Sequence, residues 1–354
     1  MDYPRIEINL SKLKHNVKTI TDKCKENGIK VAGVTKVFCA DKKLVKAYVD
    51  GGVSYLADSR LQNFQRLKDF SLPKILLRLP MISEAEEVVK YADASLNSEI
   101  ETIRALSREA VKIGKKHEII LMVDLGDLRE GYFYEDDLYK SAEEIKKLEG
   151  VELIGIGTNL TCYGGVIPTP ENLGRLVEIK NNLEKNHDVK LKIISGGNSS
   201  SIPLLYDGTI PEGINNLRLG ESLVLGRETA YGKDIEETFN DVFKLVIEAI
   251  EIKDKPSLPV GEIGKDAFGN VPVFEDKGIR KRMICAIGRQ DLLPDDITPY
   301  DKEITVIGSS SDHLILDITN SKIKYEVGDK LEFGLKYGGI LRGMTSEYVK
   351  KVYV

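Results

Sequence analysis

A lysine closes the apolar run Lys30-Val-Ala-Gly-Val-Thr-Lys36. Desolvation at such a place lowers an ammonium's pKa, which makes Lys36 a candidate Schiff-base or general-base lysine. The plain alternative is a surface lysine just past a strand. A second segment, Ile193-Ile-Ser-Gly-Gly-Asn-Ser-Ser-Ser201, runs an apolar stretch into two glycines and then into small polar residues that open a helix. Backbone N–H groups at such a start can cradle a phosphate. A simple capped helix would explain one serine but not the glycines. Arg218 ends a third run, Asn216-Leu-Arg-Leu-Gly-Glu221. It could meet a phosphate, a heteroaromatic nitrogen or the neighbouring Glu221. A lysine, a phosphate cradle and an arginine together suit pyridoxal phosphate, which the lysine would hold covalently.

These residues need elements to position them. Strand-like runs at 31–34, 55–57, 74–79, 92–96, 119–123, 153–158, 191–194 and 217–219 alternate with helical patterns at 11–25, 42–49, 84–91, 99–113, 138–148 and 172–184. Ser11, Asp41 and Ser83 are the expected capping residues. Eight strands, with no G-x-G-x-x-G after the first, predict a (βα)8 TIM barrel rather than an open doubly wound sheet. The active site of a barrel sits at the C-terminal strand ends. There the polar residues are Lys36, Asp58, Arg78, Asn97, Asp124 with Arg129, Thr158 with Asn159, the seventh-loop stretch 196–200, and Arg218 with Gly220. After Gly226 the pattern changes to strand-like runs at 243–252, 283–287, 304–307, 314–318, 330–333 and 348–354. A smaller, mostly β domain without long amphipathic helices is expected, dividing the chain into 1–228 and 229–354.

Composition narrows the function classes. The chain has 354 residues, 51 basic and 56 acidic, for a net charge of -5, which argues against a nucleic-acid binder with a basic face. No apolar run approaches the ~20 residues of a membrane span. The first residues lack the apolar stretch of a secretory leader. Cys24, Cys39, Cys162 and Cys285 lie far apart with no Cys-x-x-Cys spacing, so no metal site is expected and a reducing cytoplasm is.

The ordered set of motifs resembles the alanine racemase-like, fold-type III pyridoxal-phosphate enzymes. It comprises Arg5-Ile-Glu-Ile-Asn-Leu-Ser-Lys-Leu-Lys-His-Asn16, Val34-Thr-Lys36, Val123-Asp-Leu-Gly-Asp-Leu-Arg-Glu-Gly131, Gly155-Ile-Gly-Thr-Asn159, Gly197-Asn-Ser-Ser200 and Leu217-Arg-Leu-Gly220. Cys285-Ala-Ile-Gly-Arg-Gln-Asp291 and Ser309-Ser-Ser-Asp-His313 continue it into the second domain. Gly288-Arg-Gln-Asp291 and Met344-Thr-Ser-Glu-Tyr-Val349 are most similar to the ornithine racemase branch of that family. Each motif is weak alone; their order across nearly the whole chain is specific.

The resemblance implies that Lys36 binds the cofactor, that Asn198, Ser199 and Gly220 hold its phosphate, and that Arg218 faces the pyridine nitrogen. It implies that Arg129 supports the ring oxygen or the substrate carboxylate, with Asn159 near the ring. It further implies racemisation of a basic amino acid such as ornithine, in a head-to-tail homodimer whose β domains complete the partner's site. An alanine or broad-specificity racemase, a basic amino-acid decarboxylase and a non-catalytic cofactor-binding protein are the alternatives.

The sequence also departs from the pattern. Met122 stands where many family members carry a modified lysine, Asn159 where they have a histidine, and Val37-Phe-Cys-Ala40 where a phosphate-binding tyrosine is found. Arg289 replaces the tyrosine that serves as second base. Asp291 and Asp312 are the leading catalytic candidates for the second face, with His313 and Cys162-Tyr163 also open. For a substrate ammonium the candidate partners are Asp127, Glu221, Glu262, Asp291 and Asp312.

Overall fold

The computed structural model describes residues 2–354. The chain forms two compact units, Leu10–Asn240 and a second that joins the residues up to Asn9 to Asp241–Val354. The expected division at 228/229 is therefore corrected at both ends. Strand β1 (Arg5–Ile8) belongs to the second unit, because it pairs there with the last strand. Residues 229–240 stay with the first unit. Ile235 N–H donates to Gly226 O at 2.7 Å, and Asn16 exchanges two 2.7 Å hydrogen bonds with the backbone of Phe239.

The first unit is a closed parallel barrel. Its strands are β2 (Lys30–Val34), β3 (Tyr55–Asp58), β4 (Lys74–Leu76), β5 (Ala94–Asn97), β6 (His117–Val123), β7 (Val151–Thr158), β8 (Ile193–Ser195) and β9 (Asn216–Leu219), with β9 returning to pair with β2. All eight expected strands are present. Ala32, Val34, Ala57, Ile75, Ala94, Leu96, Ile120, Met122, Ile154 and Ile193 form one buried cluster, the filled interior of a barrel of this size. Helices follow the strands. Asp41 caps Lys42–Asp50, accepting from the N–H groups of Lys43 and Leu44 at 2.9 and 3.3 Å. The other two expected caps are displaced. Ser11 lies one residue inside the helix Leu10–Glu26, and Ser83 lies within the turn Ile82–Glu84. The helix expected from Asn172 begins at Pro170 instead, closed by a capping box between Thr169 and Asn172.

The second unit is mostly β. Strand β10 (Phe243–Pro256) pairs over its first part with β1 and β15 (Lys330–Leu335), and past a bulge between Ala249 and Glu251 with β11 (Ile279–Cys285). The sheet is completed by β12 (Ile297–Pro299), β13 (Thr305–Ser309), β14 (Leu314–Asp317) and β16 (Lys350–Tyr353). A helix, Tyr337–Thr345, was not expected here. Between β10 and β11 residues 257–278 form no regular element.

Candidate active site

Lys36 follows β2 directly, opening the short turn Lys36–Phe38. It is largely buried, and no hydrogen bond or ion pair engages its Nζ among the described residues. Burial lowers its pKa below the ordinary lysine value, and Arg129 pushes the same way, against the pull of Cys162, Asp58 and Glu130. Asp58, at the end of β3, is not free to pair with it. Its carboxylate accepts from Thr35 Oγ1 at 2.6 Å, Arg60 N–H at 2.9 Å and Asn63 Nδ2 at 3.0 Å.

Across the barrel mouth, Arg218 is buried on β9. Its guanidinium donates to Ser195 Oγ at 2.5 Å, Thr158 O at 2.7 Å and Asn159 Oδ1 at 3.3 Å. Those acceptors are neutral, and no carboxylate forms an ion pair with it among the described residues. Burial draws its pKa down to about 10, so it stays charged at neutral pH. Gly157 makes the room: a Cβ there would lie 3.1 Å from Ser195 Cβ and 3.3 Å from Arg218 Nη1.

Asn159 links this arginine to the phosphate-loop candidate. Asn198 Nδ2 donates to Asn159 Oδ1 at 3.0 Å, to Leu160 O at 2.9 Å and to Cys162 Sγ at 3.3 Å, while its Oδ1 caps the turn Ser199–Ser201 through Ser200 N–H. Ser199 Oγ donates to Ser222 Oγ at 3.0 Å and accepts from Ser222 N–H at 3.1 Å, tying the seventh loop to the eighth. Ser200 Oγ is buried without a partner. Gly220 lies against Val34, 3.2 Å from where a Cβ would stand.

Arg129 sits in the loop after β6. That loop turns back sharply, so that Tyr132 pairs alongside Val123. Gly131 permits this with φ +128, and a Cβ there would meet Asp124 N at 2.6 Å. Arg129 pairs with Glu130 through two contacts, and Glu130 also accepts from Asn159. The sequence reading missed Glu130; its one signal was a carboxylate adjoining a site arginine.

The barrel thus brings together Lys36, Arg129, Asn159, Asn198, Ser199, Arg218 and Gly220. Cys162, one of the open second-face candidates, joins them. Burial raises its thiol pKa, while Arg129, Lys36 and Arg218 oppose that. Asp127, a candidate ammonium partner, is committed elsewhere. Its carboxylate accepts from the N–H groups of Cys162, Tyr163 and Val166 at 3.2, 2.9 and 3.1 Å and so shapes that loop. Glu221 is part-buried, and burial raises its pKa.

Asp291 and Asp312 lie in the β unit. Asp291 is buried and accepts from Ser346 Oγ at 2.6 Å. Asp312 is exposed and accepts from Ser311 Oγ at 2.8 Å. Their loops touch at Gly288, where a Cβ would fall 2.2 Å from Ser311 O. Beside them Arg289 stacks over Phe268 at 4.3 Å with its Nε buried and unpartnered.

The family model for the alanine racemase N-terminal domain matches residues 8–228. The chain belongs to the alanine racemase family. Within that family, an ornithine racemase of Acetoanaerobium sticklandii is 53% identical over 349 residues, 99% of each chain. A lysine racemase of Thermotoga maritima is 41% identical over 355 residues, covering 100% of this chain and 99% of its own. The fold is likewise that of an alanine racemase from a D-cycloserine-producing Streptomyces lavendulae, with a TM-score of 0.75 at 15% identity over 100% of this chain and 97% of that one.

Proposed function

We propose that this chain is a pyridoxal-phosphate-dependent racemase of basic amino acids, with ornithine preferred. The observation that carries the reading is the 53% identity, over 99% of both chains, to a protein named ornithine racemase. The residues of the barrel mouth fit the cofactor. A buried guanidinium has only neutral acceptors, a serine hydroxyl in the seventh loop is buried and unpartnered, and a largely buried lysine has its pKa lowered. When bound, the cofactor supplies a sink for negative charge developing at the substrate Cα.

Lys36 would hold the cofactor, and its Nζ would take and return the Cα proton on one face. Asn198, Ser199 and Gly220 would hold the phosphate. Arg218 would donate to the ring nitrogen and keep its own proton, which limits the sink and favours reprotonation over transamination. Arg129, beside Asn159, would support the cofactor's ring oxygen or receive the substrate carboxylate. The opposite face would be served by the partner's β unit in a head-to-tail homodimer, with Asp312 and Asp291 as the candidate acids.

Deuterium exchange at Cα in heavy water tests the substrate class. Ornithine should exceed alanine in kcat/KM by roughly 30-fold to several thousand-fold. That corresponds to the ~2–5 kcal/mol at stake when a desolvated carboxylate loses its ammonium partner. Faster exchange of alanine than of ornithine, lysine and arginine would refute the basic-substrate reading.

A further inference from the structure

We propose that Glu130 is a positioning residue of this site: one carboxylate that holds Arg129 and fixes the Asn159 amide that bonds Arg218. The role it serves rests on the racemase reading above.

Glu130 Oε1 accepts from Arg129 Nη2 at 2.6 Å and from Asn159 Nδ2 at 2.9 Å. Its Oε2 accepts from Arg129 Nε. The fork of the guanidinium is thus matched by both oxygens, the geometry that makes arginine–carboxylate pairs directional. An amide side chain has one donor end and one acceptor end. Because Glu130 takes the donor end of Asn159, the acceptor end faces Arg218 and Asn198, from which Oδ1 accepts at 3.3 and 3.0 Å. The opposite amide orientation would set N–H groups against the guanidinium and the Asn198 amide. Glu130 therefore joins Arg218 and Asn198 in fixing which way Asn159 points, and Asn159 in turn supplies the second acceptor of Arg218 Nη2, beside Thr158 O at 2.7 Å.

The carboxylate also balances charge. Arg129 pairs with it directly, and Lys36 and Arg218 feel its charge from a distance. Its charge opposes the burial that lowers the pKa of Lys36 and of Arg218. Asp58 acts on Lys36 in the same direction and more strongly, from a carboxylate held by Thr35, Arg60 and Asn63.

Glu130→Gln keeps an acceptor for Asn159 but removes the charge and turns an NH2 toward Arg129. Glu130→Ala removes both arms, and Glu130→Asp keeps the charge. Competitive acetylation of Lys36, read by mass spectrometry across pH, reports that amine without added cofactor. We expect its midpoint to move to lower pH in Glu130→Gln and Glu130→Ala, and to return toward wild type in Glu130→Asp. With cofactor and ornithine, kcat should fall more than KM rises, by on the order of ten- to a hundredfold in kcat/KM for Glu130→Ala. Should Glu130→Ala fail to fold, the isosteric Glu130→Gln carries the test. A wild-type Lys36 midpoint together with wild-type kcat/KM in Glu130→Gln overturns the proposal. A shifted midpoint in a chain whose wild type exchanges no Cα deuterium would instead overturn the racemase reading and leave the charge-balancing role supported.

Discussion

Lys36 is the residue on which the chemistry turns. Its lowered pKa has a definite sign: the amine is neutral, and so nucleophilic, at lower pH than an exposed lysine. Covalent attachment of pyridoxal phosphate to the cofactor-free chain should therefore speed up with pH and level off below the ordinary lysine range. Stopped-flow absorbance checks the profile, and borohydride reduction should fix the label on the peptide containing Lys36. Label on another lysine would remove Lys36 from its role, and Lys36→Ala should abolish turnover. Lys36 and Arg218 were legible because a cation at the end of an apolar strand has few reasons to be there. Glu130 was not, since a carboxylate beside an arginine reads as an ordinary surface pair. Asp127 was misjudged for a different reason. Its partners are backbone N–H groups 35 to 39 residues further along the chain, and a sequence read by residue type does not reveal them.

At the level of elements, the barrel strands were legible from their β-branched runs, although 74–79 shortened to Lys74–Leu76 and 191–194 shifted to Ile193–Ser195. What escaped were elements whose stability comes from distant partners. The four residues of β1 depend on pairing with β10 and β16. The helix Tyr337–Thr345 carries three glycines, which lower intrinsic helix propensity. One barrel contact yields a pH prediction. His117 lies buried between β5 and β6 with its ring nitrogen 2.8 Å from Ser95 Oγ. Burial lowers its pKa from 6.5 to about 4, against the pull of Asp93. Between those values the unfolded chain binds a proton that the folded chain refuses. This contribution, about 3 kcal/mol, is thus complete above the higher value and lost as pH falls toward the lower. Urea midpoints should fall across that window more steeply in the wild type than in His117→Gln; equal slopes would assign the acid sensitivity elsewhere.

For the whole molecule, Asp312 and Asp291 belong to one unit and Lys36 to the other. If each site takes its barrel from one copy and its β loops from another, Lys36→Ala chains mixed with Asp312→Ala chains should regain activity as hybrid dimers, each inactive alone. Proven subunit exchange without recovery would put both residues in one copy's site. The pairing of β1 with β10 and β16 has a consequence for biosynthesis. The barrel is inserted between the first strand of the β unit and the rest of it. Arg5–Ile8 leaves the ribosome before the barrel, yet its partners Phe243–Val246 and Lys350–Tyr353 are made only after it. The barrel can collapse during translation, whereas the β sheet waits for the synthesis of Lys350–Tyr353. Throughout that interval the nascent chain carries a short strand with exposed edges, two of whose residues are the apolar Ile6 and Ile8.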